Sequence, residues 1–302
     1  MLEAISKSAD FLGKKNVESP RLQAELLLAH LLQLPRMKLY LNFERGLTKA
    51  ETDALRELIK RRGQREPIQH LIGSASFCGH EIGVNRHVLV PRPETELLAE
   101  LGWEFLQGRA GNPLTADRRA GDCAPCHALD FCTGSGCIAI ALAAKCPEVK
   151  IVATDISANA LAQARANAAR NHVDGSIEFR LGDGFAALSA GMQFDLIVSN
   201  PPYIPSAEIE TLDPEVRDFD PRVALDGGAA GLDFYQLIAS QAGAFLKPSG
   251  KIMVEFGDGQ ADAVRHIFEM EKWIVEAVRE DYSQRARIQI AKKSFASSSS
   301  SS

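Results

Sequence analysis

Leu129-Asp130-Phe131-Cys132-Thr133-Gly134-Ser135-Gly136-Cys137-Ile138 passes from an apolar run into a turn of small residues, then into the helical run Ala139 to Lys145. Strand, tight turn and helix in that order open an α/β nucleotide-binding sheet. Glycines let a ligand approach the turn backbone closely, and the helix N-terminus beyond it presents unpaired N–H groups. About nineteen residues past Gly136, the strand Ile151 to Thr154 ends in Asp155, whose carboxylate is suited to both hydroxyls of a ribose. The two features outline a nucleoside pocket.

A dinucleotide fingerprint is the generic alternative, but G-x-G-x-x-G needs a third glycine where this chain has Ala139. Strands are expected at Ala128–Phe131, Ile151–Thr154, Ile177–Arg180, Leu196–Ser199 and Lys251–Phe256, alternating with helices, which is a doubly wound α/β pattern. Arg287 to Ala291 reads as a last edge strand, paired with another near Trp273 to Val278.

The run Phe194, Leu196, Ile197, Val198 reads as a buried strand that ends in Asn200-Pro201-Pro202-Tyr203. Two prolines lack N–H groups and hold φ near −65°, so the carbonyls of this turn find no partner in a continuing ladder. The Asn200 side-chain oxygen and a neighbouring backbone carbonyl form two acceptors for a planar –NH2 group, and Tyr203 offers a flat face. The alternative is a merely rigid turn, since Asn and Pro are common turn formers. Beside a nucleoside pocket, an amine-gripping turn favours methyl transfer.

Asp130 to Ile138, Asp155, Gly182-Asp183 and Asn200 to Tyr203 resemble the ordered motifs of Rossmann-type amino-methyltransferases that use S-adenosylmethionine. Arg65-Glu66-Pro67-Ile68-Gln69-His70-Leu71-Ile72-Gly73, Val90-Pro91-Arg92-Pro93-Glu94-Thr95-Glu96 and Ala224-Leu225-Asp226-Gly227-Gly228 with Gly231-Leu232 narrow the match. Over nearly the whole chain the order resembles the release-factor glutamine N5-methyltransferases, the HemK/PrmC family. That resemblance implies N5-methylation of the glutamine in the Gly-Gly-Gln motif of class I release factors. It implies S-adenosylmethionine held by Cys132, Thr133, Gly134, Ser135, Gly136, Asp155, Asp183, Gly184 and Asn200, with substrate gripped by Asn200, Pro201, Pro202 and Tyr203. Catalysis falls to Asn200, Pro201 and Tyr203. The family usually has glycine where this chain has Cys132, and often a bulkier residue where it has Gly184. Phe185 or another group must then close the adenine face.

Within 302 residues, 39 acidic side chains against 34 basic ones give a net charge of −5, so no global basic field exists to hold a nucleic-acid backbone. Stable nucleic-acid binding is not expected. An amino-methyltransferase acting on adenine N6 or guanine N2 is the alternative reading, because the same turn serves both amines, and a non-catalytic cofactor-binding module is a third. Base flipping calls for basic, aromatic-interleaved segments, and a binding-only module has no need of the acceptor turn.

Met1 to Asp10 lacks a signal-type apolar core and no run approaches the ~20 apolar residues of a membrane span, so a cytoplasmic protein is expected. Its six cysteines then read as reduced thiols. Cys123-Ala124-Pro125-Cys126-His127 matches the haem-attachment pattern, yet haem attachment demands export, and a zinc site wants a second ligand pair at metal spacing. No metal site is assigned.

The breaks suggest a helical domain at 1–74, a hairpin linker at 75–93, a methyltransferase domain at 94–293 and a disordered Ser-rich tail at 294–302. In the helical domain, which reads either as a second contact surface for recognising the release factor, since a tripeptide loop buries too little area for specific binding, or as a cover for apolar surface of the catalytic domain, Leu22, Leu26, Ala29 and Leu32 share one helical face. Glu51 to Arg61 repeats the pattern with Leu55, Leu58 and Ile59. Phe77 to Val90 reads as the hairpin, Leu97 to Leu106 as a helix and Gly108 to Cys126 as a loop. Glu94 and Glu96 fit the N-terminal turn of that helix better than a general base. His70, His80 and His87 read as surface or interdomain polar groups.

Overall fold

The structure, a computed structural model, describes residues 1–42, 44–111 and 126–294. The chain begins with helices α1 (Leu2–Lys14), α2 (Pro20–Leu31), α3 (Arg36–Leu41), α4 (Lys49–Gly63) and α5 (Ile68–Ile72). A hairpin of β1 (Ser74–Phe77) and β2 (His80–Gly83) precedes α6 (Pro93–Gly111). Alternation follows: β3 (His127–Phe131), α7 (Cys137–Lys145), β4 (Lys150–Asp155), α8 (Ala158–Arg170), β5 (Ile177–Leu181) and β6 (Phe194–Ser199). The remainder is α9 (Pro214–Arg217), α10 (Asp233–Gln241), β7 (Leu246–Glu255), α11 (Ala261–Met270), β8 (Trp273–Glu280) and β9 (Ala286–Lys293).

Strands whose residues are buried on both faces need helices on both sides, and that demand makes β3 to β7 a parallel sheet. The order is β5-β4-β3-β6-β7-β9-β8, with β9 antiparallel to both neighbours. After β3 the chain builds outward through β4 and β5, then returns to the other side of β3 as β6. The reversal leaves a crevice at the carboxyl ends of β3 and β6, where ligands of such sheets bind.

Arg287 to Ala291 does not form the edge. β9 lies between β7 and β8 and is buried from Ile288 to Ala291, whereas the outermost β8 is half-exposed along most of its length. Sequence order misleads here because a terminal hairpin inserts its second strand first.

By its internal contacts the chain divides into two compact units. The helical one is not contiguous: to Met1–Ser74 it adds Val84–Arg86 and Leu212–Asp220, stretches expected in the linker and the catalytic domain. Arg62 explains the second addition, because this buried guanidinium on α4 pairs with Glu215 on α9 at 2.7 Å. Val84 N–H likewise donates to the Gly73 carbonyl at 3.1 Å. The α2 core face is Ala24, Leu27, Leu28 and Ala29, with Leu32 packed against it, while Leu22 is 39% exposed, so the expected stripe holds at Ala29 and Leu32 and is rotated away from Leu22. A capping box starts α4, with Thr48 and Glu51 each accepting the other's backbone N–H.

The hairpin strands end at Gly83, short of the expected Val90, and α6 extends through Gly108 to Gly111. Residues 112–125, including Cys123 and the rest of the expected loop, and most of the tail lie outside the described residues. Cys126 is a free thiol, and His127 opens β3 with its N–H donated to Asp195 at 2.9 Å. Among the described residues no helix is long and apolar enough to cross a membrane.

Candidate active site

Thr133 begins the turn after β3 by donating its N–H to the Thr154 carbonyl at 2.9 Å, which ties the turn to β4. Beneath it, the fully buried Asp130 accepts Thr133 Oγ1–H at 2.6 Å and Ala139 N–H at 3.1 Å on one oxygen. Among the described residues its other oxygen, Oδ1, is buried without a partner. Burial pushes this carboxyl up to about 7, against the pull of those two hydrogen bonds. Asp130 therefore fastens the turn to α7 from inside the core.

Cys132 adopts φ +62°, a left-handed conformation in which a side chain is disfavoured, and that accounts for a usual glycine at this place. Its half-buried thiol is pushed well above the ordinary value, first by desolvation and then by Asp155 and Asp130. Gly136 (φ +80°) caps α7, and a Cβ there would sit 3.0 Å from that of Ala164. Gly134 (φ +55°) faces open space, so the turn backbone lies bare to the cavity.

Asp155 holds the turn from the side. Its Oδ2 accepts Gly134 N–H and its Oδ1 accepts Ser157 N–H, each at 2.8 Å, and Ile156 N–H also bonds the carboxylate, which keeps acceptor capacity beyond these backbone bonds. Gly182 is required sterically, since a Cβ would lie 2.9 Å from the Ala187 backbone in the short helical turn Gly184–Ala187.

Asn200 follows β6, and its Nδ2 donates to Oγ1 of Thr95 at 3.0 Å. That bond leaves Oδ1, the acceptor end, for a ligand. The turn behind Asn200 is clasped by Leu225 to Gly231: Ile204 N–H donates to the Leu225 carbonyl and Gly227 N–H to the Ile204 carbonyl, both at 2.9 Å. A Cβ on Gly231 (φ +70°) would lie 2.2 Å from the Tyr203 carbonyl oxygen, and one on Gly227 2.8 Å from Tyr203 Cα. Only bare backbone fits there. Gln260 Nε2 donates to the Tyr203 carbonyl at 2.9 Å.

Cys132 to Ser135, Asp155, Asp183, Gly184, Asn200 and Pro202 all line one cavity at the switch point, together with Arg92, Thr95 and His87. Gly136, Pro201 and Tyr203 do not line it. Pro201 is buried, and the Tyr203 ring packs against the main apolar core, with its hydroxyl pushed up to about 12 by burial and then by Glu255. Phe185 is also withdrawn from the cavity, stacked between Phe131 (4.7 Å) and Phe245 (5.4 Å) inside the core. Ile156 and Val223, exposed apolar residues, line the cavity instead.

The PrmC N-terminal domain model matches residues 3–73, and the methyltransferase small domain model matches residues 122–212. The release factor glutamine methyltransferase of Geobacter sulfurreducens is 44% identical over 85% of this chain and 84% of its own length. This chain belongs to the release factor glutamine methyltransferase family. Its relative of the same name in Chlorobaculum tepidum is 42% identical over 88% of each chain. The hMettl16 catalytic domain, solved in complex with MAT2A 3'UTR hairpin 1, shares the fold at a TM-score of 0.53, with 15% identity over 80% of this chain and 82% of that one.

Three positions of this methyltransferase escape sequence reasoning. Thr95 sits in the Val90 to Glu96 segment, but nothing local marks its hydroxyl as the partner of Asn200. Asn167 on α8 is buried and grips both Gly83 (2.8 and 3.0 Å) and the Ser135 carbonyl (2.8 Å), a clamp visible only once the sheet is wound. Glu255 does leave a signal, as a lone acid between Ile252-Met253-Val254 and Phe256.

Proposed function

We propose that this chain transfers a methyl group from S-adenosylmethionine to the side-chain nitrogen of the glutamine in the Gly-Gly-Gln motif of class I release factors. Family membership supports the reading, and the observation that carries it is Asn200, whose Nδ2 is committed to Thr95 while Oδ1 stays free to accept, at the rim of the glycine-turn cavity.

The residues present fit the cofactor. Bare backbone at Gly134, the remaining acceptor capacity of the Asp155 carboxylate and the apolar Ile156 and Val223 suit, in turn, a close-lying chain, a ribose and an adenine. Asp183 and Gly184 complete that wall, Ile156 and Val223 supplying the apolar face that Gly184 lacks. When bound, S-adenosylmethionine supplies a methyl group on a sulfonium, electrophilic enough to need no metal.

A glutamine amide nitrogen is a poor nucleophile because its lone pair is delocalised into the carbonyl. Positioning carries the burden. Asn200 Oδ1, which faces the cavity, accepts one N–H bond and aims the nitrogen, and it stabilises the positive charge that grows there; the Pro201 carbonyl, buried beside the cavity, can take the second N–H only where the substrate amide reaches past the lining residues. The proton leaves to water along these acceptors. Tyr203, packed on the core, fixes the turn from behind.

Separate incubations of the protein and labelled S-adenosylmethionine with a purified class I release factor, ribosomal RNA and DNA test the proposal. Label on the release factor glutamine is expected; label on nucleic acid alone would overturn it.

A further inference from the structure

β7 brings Ile252, Met253 and Val254 into the core and then buries a carboxylate, Glu255, only 3% exposed. Because Ser199 on β6 stands opposite Val254 on β7, the next residue along each strand sets Asn200 beside Glu255. Thr95, equally buried, reaches the same spot from the first turn of α6. Asn200 Nδ2 donates to Thr95 Oγ1, and both Thr95 and Asn200 hydrogen-bond the Glu255 carboxyl. A threonine hydroxyl has one proton, so it accepts from Asn200 and passes its own to Glu255.

We infer that Thr95 and Glu255 are positioning residues that hold both Nδ2 hydrogens of Asn200, so that the carboxamide presents only Oδ1 to the substrate amide. The inference rests on the function proposed above. A carboxamide turned end for end would offer N–H to N–H and form no bond with a substrate –NH2. A buried carboxylate forbids that turn, because it accepts hydrogen bonds and donates none, and Oδ1 against it would leave two acceptors facing each other. Among the described residues one Glu255 oxygen, Oε2, has no partner, so the bonds from Thr95 and Asn200 fall on the other.

The groups facing Glu255 are Thr95 and Glu94 on α6, Asn200 and Tyr203 after β6, Arg287 on β9 and Tyr235 on α10. Burial raises the Glu255 carboxyl to about 7, opposed by Thr95 and Arg287. Its carboxylate form is therefore lost as pH falls through that value, and a protonated Glu255 can donate to Oδ1 and release the constraint.

Single-turnover transfer to release factor, with calorimetric titration of S-adenosylmethionine, tests this on Thr95→Val, Thr95→Ser and Glu255→Gln. Thr95→Val should slow transfer about tenfold or more while cofactor affinity stays within about twofold, and Thr95→Ser should recover most of the rate. The parent rate should fall below pH 7, and Glu255→Gln should lose that fall. Thr95→Val at the parent rate, or one pH profile shared by parent and Glu255→Gln, overturns the inference. Should Thr95→Val not fold, the two profiles decide alone. A parent that methylates no glutamine removes the proposed function and this inference together, whereas an active parent with an unaffected Thr95→Val removes only the inference.

Discussion

The two ends of the cavity are built by different means. At the end proposed to hold the cofactor, Asp130 to Ile138 supply strand, turn and helix from one short stretch, and one carboxylate from the next strand, Asp155, pins the turn. At the end proposed to hold the substrate, Asn200 is held by Thr95 from the first turn of α6 and Glu255 from the end of β7, while the glycines of the 227–231 segment clasp the turn behind it. Each end buries one carboxyl raised to about 7, Asp130 in the first and Glu255 in the second. Local construction shapes a binding surface, and distant construction aims a single atom.

If the division of labour holds, Asn200→Ala gives the largest effect. Loss of the side-chain acceptor should slow transfer by about a thousandfold while cofactor affinity stays within about threefold, because the lost contact serves the substrate amide. Rapid-quench measurement reads the rate, and full activity in this variant would falsify the acceptor mechanism. Gly231→Ala should come next, slowing transfer about a hundredfold through displacement of the turn behind Asn200. Its Cβ has to move the Tyr203 carbonyl away from a 2.2 Å approach, and φ is +70° besides. A normal rate in that variant would mean that the turn tolerates displacement.

Asp155→Ala moves to the other end. Cofactor affinity should fall about tenfold or more, each charge-assisted hydrogen bond contributing roughly 1.5–3 kcal/mol. Calorimetry with the demethylated product measures this directly, and unchanged affinity would place the ribose elsewhere.

The smallest effect belongs to Asp130→Asn. Burial raises the folded-state value of Asp130 above its unfolded one, so the folded state binds more protons and stability falls as pH rises from about 4 to about 7. Asparagine can keep both bonds of the paired oxygen and carries no charge. The variant should therefore lose less melting temperature than the parent between pH 5 and pH 8, by a difference of about 2–4 °C. Parallel melting curves across that range would contradict the assignment.

How much of each end was legible follows from the same contrast. The glycine turn, Asp155 and the sheet core are written in contiguous residues with strong local demands, such as the left-handed backbone at Gly134 and Gly136. The tetrapeptide at Asn200 is legible too, because two prolines after an apolar strand are hard to mistake. Thr95 and Asn167 are not, since their value depends on which segments the winding of the sheet brings together. Tyr203 and Phe185 carry aromatic faces that sequence assigns to a ligand and packing assigns to the core. The order of the last two strands was hidden for a similar reason, as both β8 and β9 look edge-like until β9 is seen to pair with β7.

The central claim is that cofactor binding and substrate aim are separable, and one paired measurement tests it most directly: single-turnover transfer at rising S-adenosylmethionine concentration for Asp155→Ala and Asn200→Ala. The account predicts that Asp155→Ala approaches the parent rate once the cofactor saturates, while Asn200→Ala stays slow at every concentration. Recovery of Asn200→Ala at high cofactor, or an Asp155→Ala rate that never recovers, would contradict it.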